Sequence, residues 1–291
     1  AGEALNQPLA KLEFVRPDTR ETLPGGSASA SRTTYTFGRA LIDAAAELKQ
    51  RITEKAAELF GTPDVEEVRL TDSAVRHVPT GWMIPLARMA AELGPEECGA
   101  VCSFQAPTAP ERPTSDPALQ LHGVPHLIFS YGVHLAAVEV DTLTGGVTVE
   151  KYLAVSDCGR IVNPALFEQQ IQGGIAQGLG FALTEEYRSE QGKVITGDLS
   201  TYILPMAVDL PDMESLAVDS FEPSGPQGLK GGGEIGIDGP LPAVANALAD
   251  ACGIRLTRNP FTAERVLRAM LERKDGSGKM EDGRKAEQGS K

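Results

Sequence analysis

Hydrophobic and polar positions recur along this chain with two periods, and the period sorts its segments into helices and strands. Over residues 36–60 the apolar positions Leu41, Ala45, Leu48, Ile52 and Leu59 form one stripe, which predicts a long amphipathic helix. Gly61-Thr62-Pro63 stops it. Residues 1–5 read as the end of a helix. Residues 11–16 and 65–70 read as short strands, and 84–93 as a second helix. Residues 105–119 are rich in Pro, Thr and Ser, and too long for a simple connection. They predict a functional excursion or a subunit contact. Alternation then predicts strands at 126–131, 134–141 and 146–155, with Thr144-Gly145-Gly146 as the turn between the last two. A helix over 164–184 carries Gly173, Gly174, Gly178 and Gly180. Each costs about 1 kcal/mol relative to Ala, which is reasonable only where another backbone or a ligand packs very close. Strands at 194–195 and 216–221 and helices at 240–252 and 260–272 complete the pattern. The fold class expected is α+β, with mixed sheets and long flanking helices.

Composition narrows the class. At 291 residues, 41% hydrophobic and 23% charged, the chain has ample material for a globular core. A net charge of −13 argues against a nucleic-acid backbone or an anionic membrane as partner. With no apolar run near eighteen residues and no leader-like start, a soluble cytoplasmic protein is expected. Cys98, Cys102, Cys158 and Cys252 are too few and scattered for a disulfide framework. Cys98 and Cys102 have the spacing of one helical face, but no second ligand pair joins them to make a zinc site. His134 sits in an apolar alternating run and reads as a packed strand residue.

The segment Gly228-Leu229-Lys230-Gly231-Gly232-Gly233-Glu234-Ile235-Gly236 is where chemistry is expected. Glycines let a backbone approach a bound group closely, and the first amides of the following helix suit an anionic ligand. Glu234 would have few neighbouring side chains, in a place where a carboxylate can be desolvated into a working base. The simpler alternative is a surface loop with a solvated glutamate.

Several stretches coincide, in order, with one family. They include Val138-Glu139-Val140-Asp141, Asp157-Cys158-Gly159-Arg160-Ile161-Val162-Asn163-Pro164 and Gln170-Ile171-Gln172-Gly173-Gly174. Tyr202-Ile203-Leu204-Pro205, the Lys230–Gly236 loop and Ser29-Ala30-Ser31-Arg32-Thr33 belong to the same pattern. The chain resembles the molybdenum hydroxylases, the xanthine dehydrogenase, aldehyde oxidase and carbon monoxide dehydrogenase family. The resemblance runs over roughly residues 1–271 and covers the C-terminal part of the molybdopterin-binding large subunit.

The resemblance implies a molybdenum–pterin, either molybdopterin or its cytosine dinucleotide form, with the metal held by the pterin and not by side chains. It implies Glu234 as the general base in oxidation of an aldehyde or N-heterocycle, with water as the oxygen source. It places the Ala30 backbone beside the metal, and Ser29, Ser31, Thr33, Gln170, Lys230, Gly231, Gly232 and Gly233 at the cofactor. A Ser-rich turn, an exposed helical Gln and a solvated Lys are the simpler readings of those positions. Asp157, Arg160 and Asn163 are expected to be structural, Trp82 and Met83 to pack, and Cys158 to be a small buried hydrophobe. Expected partners are a second molybdopterin-binding subunit from a split gene, with a processing boundary in a longer chain as the competing explanation, an iron–sulfur subunit and an FAD subunit. A carbon monoxide dehydrogenase type and a catalytically silent assembly subunit are the alternatives. The domain expectation is 1–125 for the first part of the cofactor domain, 126–272 for a second subdomain carrying Glu234, and 273–291 for a disordered charged tail.

Overall fold

In the computed structural model, which describes residues 1–20, 22–107 and 128–274, the chain opens with one helical turn, α1 (Gly2–Leu5). The amphipathic stripe becomes the 28-residue helix α2 (Thr33–Phe60), closed by Gly61 in the left-handed conformation. Three short strands follow: β1 (Val68–Leu70), β2 (Ala74–His77) and β3 (Met83–Pro85). They form an antiparallel sheet in chain order, with helix α3 (Leu86–Leu93) directly after it. Ala56, Ala57, Val68, Leu70, Val75, Ile84 and Met89 are the core of this part.

Five expectations change here. Residues 11–16 pair with no strand among the described residues; Phe14 and Val15 are exposed, and side chains tie the segment's surroundings down instead. Asn6 and Gln7 donate to the Leu70 and Thr71 carbonyls (3.0 and 2.8 Å). The predicted strand over 65–70 begins as a 3-10 turn at Val65–Glu67, where the Asp64 carboxylate accepts from the Glu66 N–H, so β1 keeps three residues. Ile84 and Pro85 belong to β3, because Ile84 pairs with Val75, and α3 starts one residue after the proline. Trp82 and Met83 do not pack; they are 67% and 63% exposed. Because α3 ends at Leu93, Cys98 and Cys102 share no helical face either.

The second architecture is a mixed sheet. Strands β4 (Tyr131–Val140) and β5 (Val147–Asp157) form an antiparallel hairpin. At its turn the Gly145 N–H donates to the Asp141 carbonyl at 2.7 Å. Gly145 has φ 78° and abuts the Ala263 carbonyl, so both its backbone and its neighbour demand glycine. Helix α4 (Pro164–Leu183) follows, capped by the Asn163 side chain, which accepts from the Leu166 N–H at 3.1 Å. After the small hairpin β6 (Ser189–Glu190) and β7 (Lys193–Val194), strand β8 (Asp212–Ala217) adds parallel to β5, giving the order β4-β5-β8. Three helices end the described chain: α5 (Ile235–Asp238), α6 (Pro240–Cys252) and α7 (Ala263–Lys274).

Tyr152, Ile171, Ile175, Val244, Leu248 and Val266 are fully buried between the sheet and α4, α6 and α7. Burying an apolar side chain of this kind contributes about 1.5–3 kcal/mol. The predicted strand over 216–221 is displaced to β8, since pairing with the buried β5 sets the register from Lys151↔Asp212 onward. The last helix starts at Ala263 and not 260, because the Phe261 N–H donates to the Ala182 carbonyl and holds residues 259–262 across α4. Of the predicted strand over 126–131, residues 126 and 127 lie outside the described residues, and only Tyr131 is in a strand. Residues 108–119 of the Pro/Thr/Ser-rich segment, the boundary at 125, and tail residues 275–291 also lie outside them; Arg273 and Lys274 are helical.

The chain divides into two compact units, Ala1–Phe129 with Phe221–Gly231, and Ser130–Ser220 with Gly232–Lys291. The glycine loop therefore passes from the first unit to the second between Gly231 and Gly232.

Within the second unit the glycine-rich helix finds its explanation. A Cβ on Gly174 would lie 2.8 Å from the Gly236 carbonyl carbon and 2.9 Å from the Ile237 nitrogen. A Cβ on Gly178 would lie 2.6 Å from Pro240 and 2.9 Å from the Ile237 carbonyl. Helix α5 thus rests backbone to backbone on α4. Gly173 meets nothing within 4 Å and is exposed, contrary to the expectation that both neighbours are crowded. Gly174→Ala should therefore lower the melting temperature, by the equivalent of about 1–3 kcal/mol. Gly173→Ala should raise it slightly, by about 0.4–1 kcal/mol. Thermal unfolding of both variants checks this; equal shifts would contradict the assignment of the contact to Gly174.

Candidate active site

The predicted residues fall into two groups, one in each unit. In the first unit, Ser29–Ser31 is a single 3-10 turn that leads into α2, with Thr33 as the first residue of that helix. Two successive non-glycine residues in this turn have positive φ, Ala30 at 57° and Ser31 at 54°. Such a conformation costs about 1–3 kcal/mol per residue and persists only where its surroundings impose it. One such surrounding group is Gly231: a Cβ there would overlap the Ser31 carbonyl, so the glycine backbone lies flat against the turn. The Ser27 hydroxyl accepts from the Ser29 N–H and donates to the Ser29 hydroxyl, while Arg32 Nε donates to the Ser27 carbonyl. The result is an exposed, fixed turn of small side chains rich in hydroxyls.

The loop after it is held just as locally. Gly228 has φ 85° and abuts the Phe221 ring, so a side chain there is barred twice. The Tyr35 hydroxyl on α2 donates to Ser224 at 3.1 Å, and Pro226 fills the place of a side chain on Gly38. Lys230 is 9% exposed, which removes the reading of it as a solvated loop lysine.

In the second unit, Gly232 packs against Cys158 and Phe167, with 3.2 Å from its missing Cβ to Cys158 Sγ. Cys158 is buried, as its reading as a small hydrophobe requires. Gln170 Nε2 donates to the Gly233 carbonyl at 2.7 Å, fixing the peptide immediately before Glu234. A glutamine amide has two N–H donors and one carbonyl acceptor, so this single bond leaves most of its capacity for a ligand.

Glu234 is the N-cap residue of α5, and its carbonyl accepts from the Ile237 N–H at 3.0 Å. Its side chain is exposed. The desolvated surround expected for this carboxylate is not built by the side chains of the second unit. Asp157 accepts from the Gly159 N–H at 3.1 Å and from the Ser220 hydroxyl, and so secures the turn before α4.

Sequence reasoning missed α5 and what lies beneath it. Ile235 packs on Gly132 of β4, where a Cβ would lie 3.0 Å from the isoleucine side chain. Gly239 abuts the His134 ring, whose Nδ1 is 2.9 Å from the Tyr152 hydroxyl. Burial pulls the His134 imidazole below its ordinary value and pushes the Tyr152 phenol up. The signal for this packing was present in the spacing of the glycines: Gly174 and Gly178 lie four apart, on one face of α4.

The chemistry on offer is a fixed, hydroxyl-lined turn with a buried lysine nearby in the chain, and a carboxylate at the start of an anchored helix. Comparison with known proteins puts a family to this arrangement. A probable hypoxanthine oxidase of Escherichia coli is 33% identical over 93% of this chain and 27% of its own length. The gamma subunit of the 6-hydroxypseudooxynicotine dehydrogenase complex of Paenarthrobacter nicotinovorans is 31% identical over 88% of this chain and 31% of its own. The solved aldehyde oxidoreductase of Desulfovibrio gigas superposes with a TM-score of 0.70 at 26% identity, over 93% of this chain and 27% of that one. The chain thus spans less than a third of the length of each. Residues 1–211 match the family model described as a molybdopterin cofactor-binding domain. With most of its length inside that match, the chain belongs to the molybdopterin cofactor-binding domain family, whose cofactor is a molybdenum–pterin.

Proposed function

We propose that this chain is the C-terminal part of the molybdopterin-binding large subunit of a molybdenum hydroxylase. It would oxidise an aldehyde or an N-heterocyclic carbon with water as the oxygen source and Glu234 as general base. The observation that carries the reading is the fixation of Glu234. Gln170 holds the peptide before it, and α5, which it caps, lies backbone to backbone on α4. A base must sit within hydrogen-bond reach of the proton that it removes, and a side chain that starts an anchored helix is more finely placed than one on a free loop.

The residues of the first unit fit the group that the family binds. A turn of Ser29, Ala30 and Ser31, held at positive φ against Gly231, presents small side chains and hydroxyls to a polar, phosphate-bearing pterin. Thr33 and Lys230 would add a hydroxyl and a positive charge. When bound, the molybdenum–pterin supplies the two-electron redox chemistry. This chain's part is to bind and orient: Gln170 offers donors and an acceptor to the pterin edge, and Glu234 takes the proton of the attacking water at its carboxylate oxygen. The exposed carboxylate would be closed off from solvent by the rest of the large subunit. Iron–sulfur and FAD subunits would carry the electrons away. The relatives support partners in general, since one of them is named as a subunit of a dehydrogenase complex. Among the described residues no helix is long and apolar enough to cross a membrane.

Glu234→Gln keeps the shape of the side chain and removes the base. Loss of a general base alone accounts for about 10²–10⁴-fold in rate. The variant should keep its molybdenum content and lose at least that much turnover; retention of more than about a tenth of the wild-type single-turnover rate would refute the role. Gly231→Ala should act on binding instead. The added methyl overlaps the backbone carbonyl of Ser31, so the turn itself must move. Molybdenum and pterin content of the purified complex should fall severalfold. Full content in a variant of normal fold would remove the Ser29–Ser31 turn from the cofactor site.

A further inference from the structure

We propose that His134 is a positioning residue for Glu234: as a neutral imidazole it seats α5 on the sheet, and its protonation loosens that seat. This rests on the reading of Glu234 as the base, but its evidence and its test concern α5 itself. His134 stands on β4 with its ring against Gly239, the residue that joins α5 to α6, so close that a Cβ on Gly239 would overlap the ring. Two residues earlier on the same strand, Gly132 makes room for Ile235, the first residue of α5. One strand therefore touches both ends of a four-residue helix whose N-cap is Glu234.

The electrostatics of the ring favour the neutral form. Its Nδ1 is paired with the Tyr152 hydroxyl at 2.9 Å. Its Nε2 is buried and, among the described residues, has no well-directed hydrogen-bond partner. The titratable groups that face it are Tyr152 on β5 and Asp238 on α5. Asp238 and the Ile235 backbone favour the charged form, and burial outweighs both. A second proton would place a charge on a ring whose burial costs more than the Ile235 backbone and Asp238 return.

The sign follows from linkage. The folded imidazole titrates below the ordinary value of 6.5, so at lower pH the opened form binds more protons than the closed one. Docking of α5 is then complete above about pH 6.5 and weakens as the pH falls toward the folded value.

Amide hydrogen exchange, read by mass spectrometry on the chain in its purified complex over about pH 5–8, tests this. Corrected for intrinsic rates, protection of peptides covering residues 235–243 should hold constant above about pH 6.5 and be lost progressively as the pH falls below it. In His134→Gln, which cannot titrate but can still meet the Tyr152 hydroxyl, protection should be flat with pH. The same acid loss in His134→Gln, or a flat profile in the wild type, would overturn the proposal. Exchange at the imidazole C2 of wild-type His134, read from the same digests, gives a check that needs no variant. Its midpoint should lie below 6.5, at the lower end of the pH interval over which protection is lost; a midpoint at or above the ordinary value would equally overturn it. Glu234→Gln should leave the exchange profile unchanged whether or not it abolishes turnover. Failure of the His134 proposal and failure of the base assignment are therefore separate results.

Discussion

The backbone contact between α4 and α5 is the constraint on which the second unit depends. Two helices can touch main chain to main chain only where side chains are missing, and Gly174 and Gly178 supply that gap. Each glycine weakens α4 by about 1 kcal/mol against Ala, a cost offset by what the contact permits. It lets a helix of four residues, far too short to be stable alone, hold a fixed place. Glu234 caps that helix, and Gln170, on the same α4, holds the peptide before it. One element therefore both carries the carboxylate's support and fixes its approach.

The first unit has its own version of the same economy. Ala30 and Ser31 sit in a backbone conformation that L residues avoid, and Gly231 closes on them without a side chain. Strain of this kind marks a turn whose shape matters more than its stability. Both halves of the predicted site are thus built from absent side chains and a few directed hydrogen bonds. Neither is built from a cluster of charged groups.

Much of this was legible in the sequence, for reasons that particular elements show. Helix α6 was readable to the residue because Pro240 starts it and Gly253 follows it, and α2 because its apolar stripe runs for seven turns and ends at Gly61. The β4–β5 hairpin was readable because alternation and Gly145 agree on it. Residues 11–16 misled because alternation shows only that a strand has a face; it cannot supply a neighbour to pair with. Strand β8 was misplaced because its register is set by β5, some sixty residues away. Gly173 and Gly174 look alike in sequence, and only the crossing of α5 separates a crowded glycine from an open one. Glu234, Gln170 and the glycine loop were visible as a motif, whereas α5 and the His134 ring beneath it depend on tertiary contacts that local pattern does not encode.

The central claim is that the anchored Glu234 carboxylate faces the molybdenum of a bound pterin. Anomalous diffraction at the molybdenum edge, from crystals of the purified complex, tests it directly. A single molybdenum peak per chain beside the Glu234 carboxylate is the result predicted. A molybdenum peak remote from Glu234, or its absence from a fully assembled complex, would contradict the account.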